Sequence, residues 1–239
     1  MRRLDRWKKT LLLALAVASC EWMGAQTATI LPAPVEMTMQ EGYFRLADGM
    51  TICAEKDELY PVADYFAEAM KEMSGVTLKQ VDTDGKKADI RLKISKDLSP
   101  EAYRLTVDAD GVSVEAGGPA GAFYALQSVR LAIQPQDKTG IPLMHVADRP
   151  RFGYRGLMVD VSRYFVEKEE LMKIIDCMSV LKLNKLHLHL TDDNGWRLEI
   201  RKYPRLTSVG AWRVNQTDRP FPDRLYTIPG SPPNLLHEK

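Results

Sequence analysis

Seven consecutive residues hold most of the chemistry on offer in this chain: His187-Leu188-His189-Leu190-Thr191-Asp192-Asp193. In an extended conformation His187, His189 and Thr191 share one face, and Leu186, Leu188 and Leu190 share the other. The leucines would then face covering helices and the histidines an interior, with Asp192 and Asp193 just past the strand's carboxyl end. That end is where parallel barrels place their active sites. Carboxylates at such a rim suit acid–base work or the binding of hydroxyls, although an isolated acidic pair is more often a solvated loop or a helix cap. The only adjacent Asp-Glu in the chain is Asp57-Glu58. It precedes a helical stretch, where acidic residues favour the helix start.

The elements around these residues fall into two grammars. Residues 28–148 read as a small α+β domain. Arg104-Leu105-Thr106-Val107 and Val112-Ser113-Val114-Glu115 alternate on either side of Asp108-Ala109-Asp110-Gly111, a hairpin signal. A strand is predicted over 88–94. Helices are predicted over 62–73, from Phe66, Met70 and Met73, and over 120–133, from Phe123, Leu126, Val129 and Ile133. After Ala147-Asp148-Arg149-Pro150-Arg151 the pattern changes. An apolar strand over 152–161, covered on both faces, leads to a helix over 169–182 and a second strand over 183–190. Short links in a β-α-β order imply parallel strands. The final stretch from Asp218 holds five of the 14 prolines and reads as loop.

The start of the chain reads as an export signal. Arg2, Arg3, Arg6, Lys8 and Lys9 precede an apolar run over 11–18, too short to span a bilayer. Val17-Ala18-Ser19-Cys20 resembles the bacterial lipobox, so residues 1–19 are expected to be removed and Cys20 lipidated, anchoring the protein to a membrane of the bacterial periplasm or outer membrane. The whole chain carries a net charge of +1. Removing residues 1–19 leaves 28 basic against 31 acidic groups, which gives no reason to expect nucleic acid. Cys53 and Cys177 lie far apart with no metal-ligand spacing, and no cofactor motif occurs, so neither a metal nor a cofactor is expected.

Tyr154-Arg155-Gly156-Leu157-Met158-Val159-Asp160-Val161-Ser162-Arg163-Tyr164-Phe165 and the run from Asn184 to Ile200 resemble the first two barrel strands of glycoside hydrolase family 20, the β-N-acetylhexosaminidases. Tyr203-Pro204-Arg205-Leu206, Gly210 and Arg213 continue the likeness, and the residues before 150 resemble that family's non-catalytic α+β domain. The resemblance implies an α+β domain followed by the opening β-α-β of a (β/α)8 barrel over 150–239, truncated, since about ninety residues follow Pro150 where such a barrel takes about 250. It implies release of terminal N-acetylhexosamine from a glycan by attack of the sugar's own 2-acetamido oxygen, with retention, assisted by an Asp-Glu pair in a Gly-Gly-Asp-Glu setting. No Gly-Gly-Asp-Glu occurs here. No catalytic acid or acetamido-orienting residue is therefore nominated, and the chain alone is expected to be inactive.

For binding, the resemblance implies that Arg155 donates to the sugar's 3- and 4-hydroxyls through its planar fork; the competing reading is a structural pair with Asp160 or another interior carboxylate. Arg163 reads as structural. The resemblance further implies that Asp192 supports substrate binding through a histidine later in the chain and that His189, Asp193 and Trp196 support the pocket, Trp196 by packing or as a platform on which the sugar stacks. Two rival readings remain. His187-Leu188-His189 also suits a metal-dependent amidohydrolase, a scheme with no place for Arg155-Gly156 or Asp192-Asp193. A non-catalytic glycan-binding or interaction fragment is the other.

Overall fold

The computed structural model describes residues 28–82 and 88–212. Cys20, Arg213 and the proline-rich stretch lie outside them. Seven strands form one mixed sheet: β1 (Glu36–Arg45), β2 (Thr51–Ala54), β3 (Lys79–Val81), β4 (Ile90–Ile94), β5 (Tyr103–Asp108), β6 (Gly111–Ala116) and β7 (Gly140–Asp148). Their spatial order is β1-β7-β5-β6-β4-β2-β3. The β3–β2, β2–β4 and β4–β6 pairings are parallel and the rest antiparallel.

Period-two patterning decides which face of this sheet is buried. Tyr103, Leu105 and Val107 of β5, Val112 and Val114 of β6, and Ile90 and Leu92 of β4 all point into one core. Helices α1 (Tyr60–Ser74) and α2 (Pro119–Ala132) cover it with Val62, Phe66 and Met70, and with Ala122, Ala125, Leu126 and Val129. The opposite face is polar: Arg104 reaches Asp97 and Glu115, and Thr106 and Gln40 both contact His145.

The expected hairpin is present, with Ala109 and Asp110 as its two-residue loop. Gly111 is required there. Its φ is +144°, and a Cβ would lie 2.2 Å from the Asp89 carbonyl oxygen. Both predicted helices fall within two residues of their expected limits. The sequence reading did not single out β1 or β7. Pro142 interrupts β7 yet sits inside the sheet, opposite Tyr43 beside an irregularity in the β1 ladder, where a missing N–H is tolerated.

Beyond the sheet lie β8 (Gly156–Asp160), α3 (Lys168–Val180) and β9 (Lys185–His189), with β8 and β9 parallel as expected. The first strand is shorter than the predicted 152–161, and among the described residues it is not covered on both faces. Phe152, Tyr154 and Met158 are exposed, and β9 is its one strand neighbour.

Helix α3 packs on α2, and a buried polar cluster joins the two parts. Lys182, 5% exposed and in the left-handed region at φ 59°, follows α3. Its Nζ donates to the Tyr103 hydroxyl at 2.9 Å and lies 3.2 Å from Asp148 Oδ2. Burial pulls the Lys182 ammonium below its ordinary value while Asp148 opposes the shift. The Tyr103 hydroxyl also sits 2.7 Å from Ser128 Oγ, and burial pushes its titration up.

Candidate functional site

In the β8–β9 pair, Asp160 stands opposite His189 and Met158 opposite His187. The carboxyl ends of both strands therefore meet at one rim. The chain leaving β8 stays attached there, since Val161 and Ser162 both donate their N–H to the His189 carbonyl, at 3.2 and 3.1 Å. Past β9, β10 (Thr191–Asp192) and β11 (Gly195–Trp196) form a tight antiparallel ribbon around Asp193-Asn194.

At this rim an arginine is held between two aspartates. Arg163 Nη1 donates to Asp160 Oδ2 at 2.5 Å, and Nη2 lies 2.7 Å from Asp192 Oδ2. His189 sits between the same oxygens, Nδ1 3.6 Å from Asp160 and Nε2 3.4 Å from Asp192. His189 Nε2 is also 3.1 Å from the Thr191 carbonyl. A carbonyl only accepts, so that nitrogen carries the proton. The Asp160 carboxyl is held below its ordinary range first by the backbone N–H of Arg163 and then by its guanidinium. The backbone N–H of Asp193 does the same for Asp192. The Arg163 side chain stays 51% exposed.

A buried second layer fixes the loop that carries Arg163. Arg197, 0% exposed, donates from Nε to Val161 O at 3.1 Å, from Nη2 to Ser162 O at 3.0 Å and from Nη1 to Ala211 O at 2.7 Å. Ser162 Oγ donates to Gly195 O at 2.6 Å. Trp196 is half-buried and spends its indole N–H on Leu198 O at 2.6 Å. The structure thus brings Asp192, His189 and Asp193 to one rim, with Trp196 packed behind it. His187 is exposed. Among the described residues no group of three or more His, Cys, Asp or Glu gathers as a metal site.

Arg155 is elsewhere, and its guanidinium is spent on protein partners. It precedes β8, at the amino end of a strand whose carboxyl end bears the site. At about 3.3 Å per residue, Asp160 is roughly 16 Å farther along, beyond an arginine's reach. Its guanidinium is also fully engaged below. Nη2 donates to Glu101 Oε1 and to the Tyr124 hydroxyl, both at 2.7 Å. Nε donates to Lys182 O and Nη1 to Phe152 O, both at 2.8 Å. The side chain is 12% exposed. Hydrogen bonding from Arg155 holds the Glu101 carboxyl below its ordinary 4.5. Of the carboxylates expected as alternative partners of Arg155, Asp160 binds Arg163 instead, and Glu101 takes the place beside Arg155. Arg163, read from the sequence as structural, is the arginine that stands at the rim, and strand polarity is the signal for it: it follows β8 where Arg155 precedes it.

The chain is thus an α+β domain docked on a parallel β-α-β unit, with charged and polar groups gathered at the strands' carboxyl ends. Residues 27–149 match the family model "Glycosyl hydrolase family 20, domain 2", and residues 152–229 match "Glycosyl hydrolase family 20, catalytic domain". The chain belongs to glycosyl hydrolase family 20, and it holds the sheet domain and the opening β-α-β of the (β/α)8 barrel. It is 35% identical over 196 residues to a beta-hexosaminidase of Porphyromonas gingivalis, a match covering 77% of this chain and 25% of the relative. To the N,N'-diacetylchitobiase of Vibrio harveyi it is 38% identical over 194 residues, covering 80% of this chain and 21% of the relative. The solved structure of Streptomyces plicatus N-acetyl-beta-hexosaminidase in complex with Thio-NAglucal aligns with a TM-score of 0.73 at 31% identity, covering 82% of this chain and 40% of the other. The chain spans about a quarter of the length of these curated relatives.

Proposed function

We propose that this chain is the leading part of a β-N-acetylhexosaminidase that releases terminal N-acetylhexosamine from glycans with retention, the sugar's 2-acetamido oxygen acting as nucleophile. The names of the relatives support the reaction class. The observation that carries the chain's own role is the exposed Arg163 guanidinium clamped by Asp160 and Asp192 at the barrel rim. A planar fork of donors fits two neighbouring sugar hydroxyls, and the rim is where they would arrive. Residues 1–239 then contribute sugar recognition, while the acid and the acetamido-orienting carboxylate, for which the chain has no Gly-Gly-Asp-Glu, come from the rest of a complete barrel.

The test is hydrolysis of a chromogenic N-acetyl-β-glucosaminide. Purified residues 20–239 are expected to give no turnover. A polypeptide that completes them with the remaining barrel strands of a family member is expected to give turnover, with the β-anomer as first product by NMR. Turnover by residues 20–239 that survives repurification overturns this division of labour, and an α-anomer overturns retention.

We also propose that Cys20 carries a lipid that anchors the exported protein in the periplasm or outer membrane. Val17-Ala18-Ser19-Cys20 after the apolar run supports this. Cys20→Ala is expected to move the protein from the membrane fraction to the soluble one. Equal partitioning of the two forms would sink the anchor.

A further inference from the structure

We infer that Asp160 is a positioning residue, which holds the Arg163 guanidinium in the place and orientation in which it meets the sugar. This rests on the sugar-binding reading of Arg163. The two oxygens of Asp160 do different work. Oδ1 accepts the backbone N–H of Ser162 at 3.1 Å and of Arg163 at 3.0 Å, an Asx-type turn that ends β8 and sets where the arginine backbone begins. Oδ2 accepts from Arg163 Nη1 at 2.5 Å and so sets where the guanidinium ends.

The second arm of the clamp comes from the other strand. Asp192, beyond β9, takes Nη2 at 2.7 Å, so the guanidinium bridges the seam between the two strands. His189 lies between both carboxylates, and the Thr191 carbonyl fixes its orientation. A half-exposed arginine without these contacts would sample many rotamers and be ordered only when substrate arrives. With them the ordering is done in advance.

Asp160→Asn separates the two jobs, since an amide oxygen still accepts the turn's N–H groups while the charge facing Arg163 is lost. In a polypeptide that completes residues 1–239 with the remaining barrel strands of a family member, KM for the N-acetyl-β-glucosaminide should rise roughly tenfold, with kcat changed much less. Asp160→Glu should recover part of the loss. The deciding readout is the double-mutant cycle: in an Arg163→Ala background, Asp160→Asn should have no further effect on KM. A loss that persists there means Asp160 does not act through Arg163, and the inference fails. It also fails if Asp160→Asn is normal while Arg163→Ala is impaired. If Arg163→Ala is itself kinetically normal, the sugar-binding reading falls and takes this inference with it. Should Asp160→Asn not fold, Asp160→Ser, whose hydroxyl can close the same turn, takes its place in the cycle.

Discussion

Arg163→Ala, in a polypeptide that completes this segment with the remaining barrel strands, is expected to lower kcat/KM for an N-acetyl-β-glucosaminide while leaving the fold intact. A hydrogen bond to a charged group contributes about 1.5–3 kcal/mol. Losing one such bond to substrate corresponds to roughly a 10- to 150-fold drop. The variant should still fold, because the side chain is half exposed and the loop beneath it is held by Arg197 and Ser162. Arg163→Lys should recover little, since an ammonium cannot reproduce the planar fork or bridge two carboxylates set for it. Steady-state kinetics and a melting curve on the same preparation decide. Normal kinetics in a stable variant removes Arg163 from the sugar site.

Arg155→Ala should behave in the opposite way, losing stability rather than affinity. The substitution takes the charged donor from Glu101, which keeps the Tyr124 hydroxyl, and takes the Arg155 donors from the carbonyls of Lys182 and Phe152 at the junction of the two parts. Breaking a buried pair from one side costs about 3–5 kcal/mol. Glu101 keeps some contact with water, its side chain being 31% exposed, so about 2–4 kcal/mol is the expectation. For a chain of this size that lowers Tm by roughly 5–15 °C. Arg155→Met combined with Glu101→Leu should be milder, because neither charge is then stranded. The pair should also show in acid. Because the folded Glu101 carboxyl lies below its ordinary 4.5, its contribution is complete above that value and fades as pH falls through the folded one. Melting curves from pH 7 down to about 3 should show a smaller acid loss in the Glu101→Gln variant. A variant with wild-type Tm whose kcat/KM falls would restore Arg155 to the substrate.

What was legible in the sequence was whatever depends on near neighbours. The β5–β6 hairpin is announced by alternation around Asp110-Gly111, and α1, α2 and α3 by apolar stripes at helical spacing. The parallel pairing of β8 with β9 follows from the short links around α3. Strand β7 was hidden because Pro142 breaks the pattern that would mark it, and only its partner strand shows why proline is tolerated. At the site, the motif points to the rim where Asp192 and Asp193 lie, but not to the geometry of the arginine beside them. The binding partner of Arg155 is Glu101, 54 residues earlier and in the other part of the chain, and no local spacing reveals a pair formed by docking. Strand direction did separate the two arginines, because one precedes β8 and the other follows it.

Arg197 has a consequence for anyone who would reshape the site. Its three donors tie the turn after β8, the ribbon that bears Asp192 and the segment at Ala211 into one rigid block. Specificity engineering that swaps the Arg163 turn alone would graft a loop onto a clasp cut for another. The transferable cassette runs from residue 160 to residue 211, and libraries built within that frame should keep more folded members than libraries that cut across it.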